Sequence, residues 1–180
     1  MELRGKDFYL RFLIEQDAQA RLDFNLRNRE FLEPFMMTRA DEFYTLDYQR
    51  DILKSGVEDQ NEDKGYFWGI YTEDREILIG TISLTDVVRE SIQAAWLGYS
   101  LDKDFNGRGL MTQAVGLVVN YAFGVLSFHR IEAGVMPHNT ASIRVLEKVG
   151  FEKEGLMKKN VKINGQWEDH LHFAVINPHD

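Results

Sequence analysis

Apolar residues along the chain alternate between two-residue and three-to-four-residue spacing, and each change of period marks an expected element. Tyr9-Leu-Arg-Phe-Leu-Ile14 reads as a first strand, and Asp17 as the cap of a helix running toward Asn28. Phe31-Leu-Glu-Pro-Phe-Met-Met37 interrupts that helix, because Pro34 cannot continue it, and leads to a second helix around Thr45 to Lys54. Strands are expected over Gly65 to Tyr71, Ile77 to Thr85 and Ser91 to Leu101. Charged turns at Thr72 to Glu76 and Arg89-Glu90 divide them into an antiparallel meander. From Leu110 to Phe123 the sequence is apolar almost all round, which predicts a helix buried against a sheet. Arg130 to Val135 alternates as a strand. Asn139-Thr-Ala-Ser142 then starts a helix with Ile143, Val145, Leu146 and Val149 as its buried stripe and Gly150 as its left-handed stop. Phe151 opens another strand, and Asn164-Gly165 is a hairpin signal joining it to a final strand from Glu168 to Ile176.

The resulting order is strand, two helices, three strands, helix, strand, helix, two strands, a mixed α/β arrangement. At 180 residues and 44% hydrophobic content the chain can bury a substantial core, and no linker, repeat or low-complexity tract divides it. One domain over residues 1–180 is expected. Twenty-nine acidic against 21 basic side chains leave a formal charge of -8. That balance argues against direct nucleic-acid binding, which needs a clustered basic face, and suits a cationic substrate. The chain has no cysteine, so disulfides, thiolate metal sites and cysteine nucleophiles are excluded. Met-Glu-Leu-Arg-Gly-Lys-Asp7 carries charge where a secretory signal needs an apolar core, and no run reaches membrane-spanning length. A cytoplasmic protein without membrane contact is therefore expected.

The chemistry concentrates in Leu97 to Ala114, which reads as strand, glycine-paired turn and buried helix. Without side chains at Gly107 and Gly109 the backbone can approach a ligand, and the N–H groups from Gly107 to Thr112 are left unpaired at a helix start. These donors and the helix dipole favour an anion such as a pyrophosphate. A Walker loop is ruled out because its Gly-Lys-Ser/Thr tripeptide is absent. Gly107-x-Gly109-x-x-Thr112 partly matches the dinucleotide fingerprint, but Thr112 replaces the third glycine and the next strand ends in Val135-Met-Pro137 rather than an acidic residue. For an isolated glycine pair, a turn without a ligand is the plain alternative.

Several further motifs accompany the turn: Leu97-Gly-Tyr99, Gly-Leu-Met111, Met-Pro-His-Asn139 with Ser142, Gly-Phe-Glu-Lys-Glu-Gly155, Gly-Gln-Trp-Glu-Asp-His170 and Phe31-Leu-x-Pro34. On these residues the chain resembles the GNAT N-acetyltransferases, within them the RimJ/RimL branch of ribosomal-protein-alanine acetyltransferases, and RimJ more than RimL. The family's phosphate motif, Gln/Arg-x-x-Gly-x-Gly/Ala, falls on Asn106, Gly109 and Met111, and both outer positions depart from it. The resemblance implies the GNAT acyl-CoA N-acyltransferase fold, a mostly antiparallel sheet with a splayed strand pair and helices on both faces. It also implies acetyl-CoA as co-substrate, with the pyrophosphate on the amides of Gly107, Arg108, Gly109, Leu110, Met111 and Thr112. The pantetheine arm would pass between the strand ending at Leu101 and that ending near Val135, and pair with backbone groups of Ser100 and Leu101. Arg108, Lys103, Arg144 and Lys148 are basic side chains able to meet the remaining phosphate charge, or else solvated surface residues.

In the reaction so implied, a neutral amine attacks the thioester directly, and an α-amino group with a pKa near ~7.7–8.0 needs only slight help to lose its proton. The resemblance gives Asn139 a contact with the pantetheine arm and Ser142 a proton for the departing thiolate; as plain structure, the two start a helix. Tyr99 is a second proton donor or a packed ring. Glu33 and Glu152 are nominees for the base, since Trp96 stands where many family members carry an acid. His170 and His172 share a strand face but lack an evident third ligand, so no metal is expected; His138 lies near the thiolate position. The acceptor expected is the N-terminal alanine of a ribosomal protein. The alternatives are a small amine such as a polyamine or aminoglycoside, or a non-catalytic acyl-CoA-binding module, and the chain is expected to be a monomer or homodimer.

Overall fold

Asn164 and Gly165 both take positive φ, 47° and 79°, as a two-residue hairpin requires, and so fold β7 (Glu152–Ile163) back on β8 (Gln166–Ile176). The computed structural model describes residues 1–74 and 76–180. Arg75, within the expected turn at 72–76, lies outside the described residues. The other strands are β1 (Glu2–Arg4), β2 (Phe8–Phe12), β3 (Tyr66–Thr72), β4 (Leu78–Val88), β5 (Ala94–Leu101) and β6 (Arg130–Val135). Together they form one sheet in the order β1-β2-β3-β4-β5-β6-β8-β7. Every neighbouring pair is antiparallel except β5–β6, which is parallel.

Helices cover both faces. On β3, Trp68 and Ile70 join a core with Ile82 and Leu84 of β4, whereas Tyr71, one residue on and therefore facing the other way, joins a second cluster. The first core holds α4 (Leu110–Gly124) through Ala114, Val115 and Val118, and α5 (Thr140–Val149) through Leu146. The second holds α1 (Ala18–Arg27) through Phe24 and α3 (Leu46–Asn61) through Leu53. A side chain as fully buried as Trp68, Phe8 or Ile131 contributes about 1.5–3 kcal/mol by leaving water.

Local details differ from the sequence reading. The first long strand ends at Phe12 rather than Ile14, and the short edge strand β1 was not expected. Asp17 makes no side-chain cap: its carboxylate is held by Arg11, at 2.7 and 2.5 Å, and accepts the Ile14 N–H at 2.9 Å. The segment around Pro34 forms a short helix α2 (Arg29–Leu32) and a 3-10 turn (Glu33–Phe35), and α3 runs on to Asn61 because nothing in its sequence breaks it after Lys54.

One buried carboxylate ties these pieces together next to the glycine turn. Asp102, at the end of β5, accepts Arg27 Nε at 2.6 Å, Asn28 Nδ2 at 3.0 Å and the Asp104 N–H at 3.1 Å. Asn28 in turn accepts the Lys103 N–H at 3.0 Å. Burial alone would raise the Asp102 pKa, but the Asn28 and Asp104 hydrogen bonds and the Arg27 guanidinium outweigh it and hold the carboxyl below its ordinary value. Because the folded value is depressed, this stabilisation is complete above the unfolded value of about 3.9 and is lost as pH falls through the folded one. Asp102→Ala is expected to cost about 2–4 kcal/mol at neutral pH, with the deficit against wild type shrinking below about pH 4. Urea unfolding as a function of pH checks this; an equal deficit at pH 7 and pH 3 would contradict it.

Candidate active site

The parallel pairing of β5 with β6 lasts only from Ala94–Arg130 to Trp96–Glu132. Beyond it, β5 stays paired with β4 as far as Leu101, and β6 stays paired with β8 as far as Val135, so the two strands part in the middle of the sheet. Gly98 and Gly134 lie just past the last pair, and Pro137 follows the end of β6. The gap opens a cavity of about 530 Å³. Tyr99, Ser100 and Leu101 line it from β5, Asn139 and Ser142 from the start of α5, Asn106 and Met111 from the two ends of the glycine turn, and Leu32, Phe35 and Met36 from the segment around Pro34.

At the glycine turn, Gly107 and Gly109 have φ of 78° and 74°, a conformation that strains any L side chain, and a Cβ built on either would meet nothing within 4 Å. The space above the turn is therefore free for a group that must touch backbone. Gly109 is the N-cap of α4; no side chain caps this helix and no acidic residue sits in its first turn. Gln113 N–H, bonded to Gly109 O at 3.2 Å, begins the helical ladder, so the amides of residues 110–112 have no helical acceptor. These features fit a pyrophosphate. Asn106 braces the turn by donating to Asp102 O at 2.9 Å. Arg108 folds back over Phe105 and donates to Asp104 O at 2.8 Å. Leu110 packs partly buried against the core, Thr112 is half-buried, and Arg144 is exposed on α5 outside the cavity lining.

Tyr99 and Ser142, separated by 43 positions, meet with their oxygens 2.6 Å apart, and the phenol also reaches Ser142 O at 3.1 Å. Burial pushes the Tyr99 phenol up to about 12 against the lowering effect of the Ser142 hydroxyl, so the ring stays protonated at neutral pH. Asn139 Oδ1 accepts the Ser142 N–H at 3.1 Å, which caps α5 and leaves the amide NH₂ group for the cavity. Ser100 Oγ is 2.9 Å from Thr81 Oγ1.

The remaining nominees fall apart from one another. Glu33 and Glu152 are exposed, and neither lines the cavity. His138 lies beside Phe35, with ring centroids 6.0 Å apart and planes tilted by 38°. Leu171, Phe173 and Val175 of β8 pack toward the α4 core, so His170 and His172 occupy the opposite face. There His172 stacks on Trp96 and its Nε2 lies 2.7 Å from Glu132, whereas His170 is buried and lines the cavity. Its Nδ1, 3.4 Å from Glu168 O, favours the Nδ1–H tautomer and leaves Nε2 as acceptor. The sequence paired the two histidines by their spacing, and only the sheet reveals that their rings serve different neighbours. Among the described residues no group of three or more His, Cys, Asp or Glu could hold a metal ion, and no helix is long and apolar enough to cross a membrane.

Residues 7–152 match the model of the acetyltransferase (GNAT) domain. The chain is 52% identical over 178 residues to the probable N-acetyltransferase YjcK of Bacillus subtilis (strain 168), covering 99% of this chain and 98% of that one. It is similar in structure to the ribosomal-protein-S5-alanine acetyltransferase of Vibrio fischeri, with 31% identity, a TM-score of 0.96 and coverage of 99% and 97%. It is likewise similar to Mycobacterium smegmatis RimJ in complex with CoA-disulfide, with 27% identity, a TM-score of 0.92 and coverage of 99% and 87%. Matched by the GNAT domain model over residues 7–152 and by these relatives over nearly its whole length, the chain belongs to the GNAT acetyltransferase family and is an N-acetyltransferase.

Proposed function

We propose that this chain, as one domain over residues 1–180, moves an acetyl group from acetyl-CoA to the N-terminal alanine of a ribosomal protein. The observation that carries the reading is the gap between β5 and β6, with a bare helix N-terminus on one side and a buried histidine on the other. The choice of acceptor is supported by the Vibrio fischeri relative, which is named for alanine acetylation on ribosomal protein S5. It is also supported by the scarcity of strong bases in the cavity, since an α-amine near ~7.7–8.0 needs far less help than a lysine near ~10.4.

Acetyl-CoA, when bound, supplies the acetyl group as a thioester. The main-chain amides of Gly107 to Thr112 hold its pyrophosphate, and Arg108 and Arg144 meet the outer phosphate charge. Ser100 and Leu101 offer backbone groups on the strand edge that β6 has left. Asn139 orients the arm through its free NH₂ group. The attacking amine releases a proton to His170 Nε2, and Ser142 Oγ donates to the departing sulfur while Tyr99 resupplies Ser142. Both protons are thereby accounted for without a carboxylate in the cavity.

A thiol-release assay over peptide N-termini and small amines tests the acceptor. Turnover on alanine-first peptides is expected, and turnover confined to polyamines or aminoglycosides would replace this reading. Tight CoA binding with no transfer to any amine would make the chain a binding module instead. Ser142→Ala should lower kcat roughly 10- to 100-fold, a modest general-acid loss because Tyr99 remains, with the KM for acetyl-CoA little changed. His170→Gln should lower kcat by a similar factor and recover part of it at high pH, where the free amine loses its proton unaided. An unchanged kcat in either folded variant would remove that residue from the mechanism.

A further inference from the structure

On the acceptor face of the sheet, two arginines lie without an acidic partner. Thr81 and Ser83 of β4 line the main cavity and also a smaller one of about 130 Å³ that continues beneath α1 and α3, where Arg21 forms part of the wall. Arg21 Nη1 donates to Gln49 Oε1 at 2.7 Å, and Asn25 Nδ2 donates to the same oxygen at 3.2 Å. Gln49 is fully buried, so this neutral amide takes the place in which a buried guanidinium ordinarily finds a carboxylate. Arg39 lies over the Phe43 ring at 4.8 Å, with Arg21 near the same ring at 5.9 Å, and Arg39 Nε is buried with no hydrogen-bond partner. Burial, and then the nearby Arg39 charge, push the Arg21 pKa down to about 10. Among the described residues, neither arginine is in a salt bridge, although Arg4, Arg11, Arg27, Arg29, Arg50, Arg89 and Arg130 all are.

A half-buried positive charge with N–H donors to spare, in the wall of a small chamber that shares Thr81 and Ser83 with the reaction cavity, suits an anion that arrives with the substrate. We propose that Arg21, backed by Arg39, anchors a carboxylate carried by the acceptor, so that the preferred peptide bears an acidic residue a few positions beyond the amine that is acetylated. This deepens the acetyltransferase reading and rests on it. The acidic balance of the chain, 29 Asp and Glu against 21 Lys and Arg, leaves few competing sites for a peptide carboxylate, which favours the pair.

The test uses alanine-first peptides that differ only by glutamate or glutamine at successive positions. Each is offered for turnover and, in N-acetylated form, for calorimetric binding to the CoA-loaded enzyme. At one position the glutamate peptide should be preferred by about tenfold or more. In Arg21→Met that preference should shrink to within about twofold, while Arg21→Lys should keep part of it. Circular dichroism establishes that each variant is folded, and Arg39→Gln, more remote from α1, should weaken the same preference if Arg21→Met fails to fold. Equal affinity of wild type for all glutamate and glutamine pairs, or a preference that survives Arg21→Met, overturns the anchor. A selective binding that Arg21→Met removes, without any acetyl transfer to peptides, would sustain the anchor while rejecting the peptide transferase.

Discussion

The parting of β5 from β6 after three paired residues is the constraint on which the rest depends. Main-chain N–H and C=O groups inside a sheet must be paired, and here the inner edges of both strands lose their partners in mid-sheet. An extended ligand with amides of its own can complete those edges in the manner of an inserted strand, with hydrogen bonds that carry no demand on side-chain identity. The fold keeps the gap from closing by filling one end with the Tyr99–Ser142 contact and the start of α5, and the other with Trp96 stacked on His172. Past the last pair, Gly98 and Gly134 add no side chains of their own, where a Cβ would press on Ser83 at 3.1 Å or touch Met157, Trp96 and His170 at 3.4–3.8 Å.

The two faces of the sheet then take different tasks. The face carrying α4 and α5 offers an uncapped helix start and left-handed glycines, a setting for a large anion held by backbone. The other face, carrying α1 and α3, offers His170, the hydroxyl-bearing residues Thr81 and Ser83, and the desolvated Arg21. Asp102 joins the two sides, because it fixes the end of α1 to the end of β5 four residues before Asn106, where the glycine turn begins. Disturbing it should therefore be felt at both ends of the reaction path.

How much of this was legible in the sequence depends on whether the signal is local. Asn164-Gly165 and Gly150 signalled their hairpin and left-handed stop directly, because Asn and Gly enter that backbone more readily than other residues, and Gly107 and Gly109 signalled a bare turn; the all-round apolar α4 announced its burial. The strand β1 was hidden by its length, because the three residues Glu2-Leu-Arg4 are too few for their alternation to be told from chance. The extent of the β5–β6 gap could not be read either, since those strands are joined by a turn and a helix and local spacing says nothing about where a pairing stops. Likewise the contact of Tyr99 with Ser142, the different surroundings of His170 and His172, and the missing acidic partner of Arg21 are products of sheet order, and the sequence contains no pattern for them.

The most direct test of the central claim is to follow backbone amide resonances by NMR while CoA is titrated into wild type and into Gly109→Val. The account predicts that in wild type the largest shifts fall on Gly107 to Thr112 and on Ser100 and Leu101. In the folded variant, a side chain standing in the free space above the turn should weaken binding by about tenfold or more. Saturable CoA binding that leaves those amides unmoved, or an affinity unchanged by Gly109→Val, would contradict it.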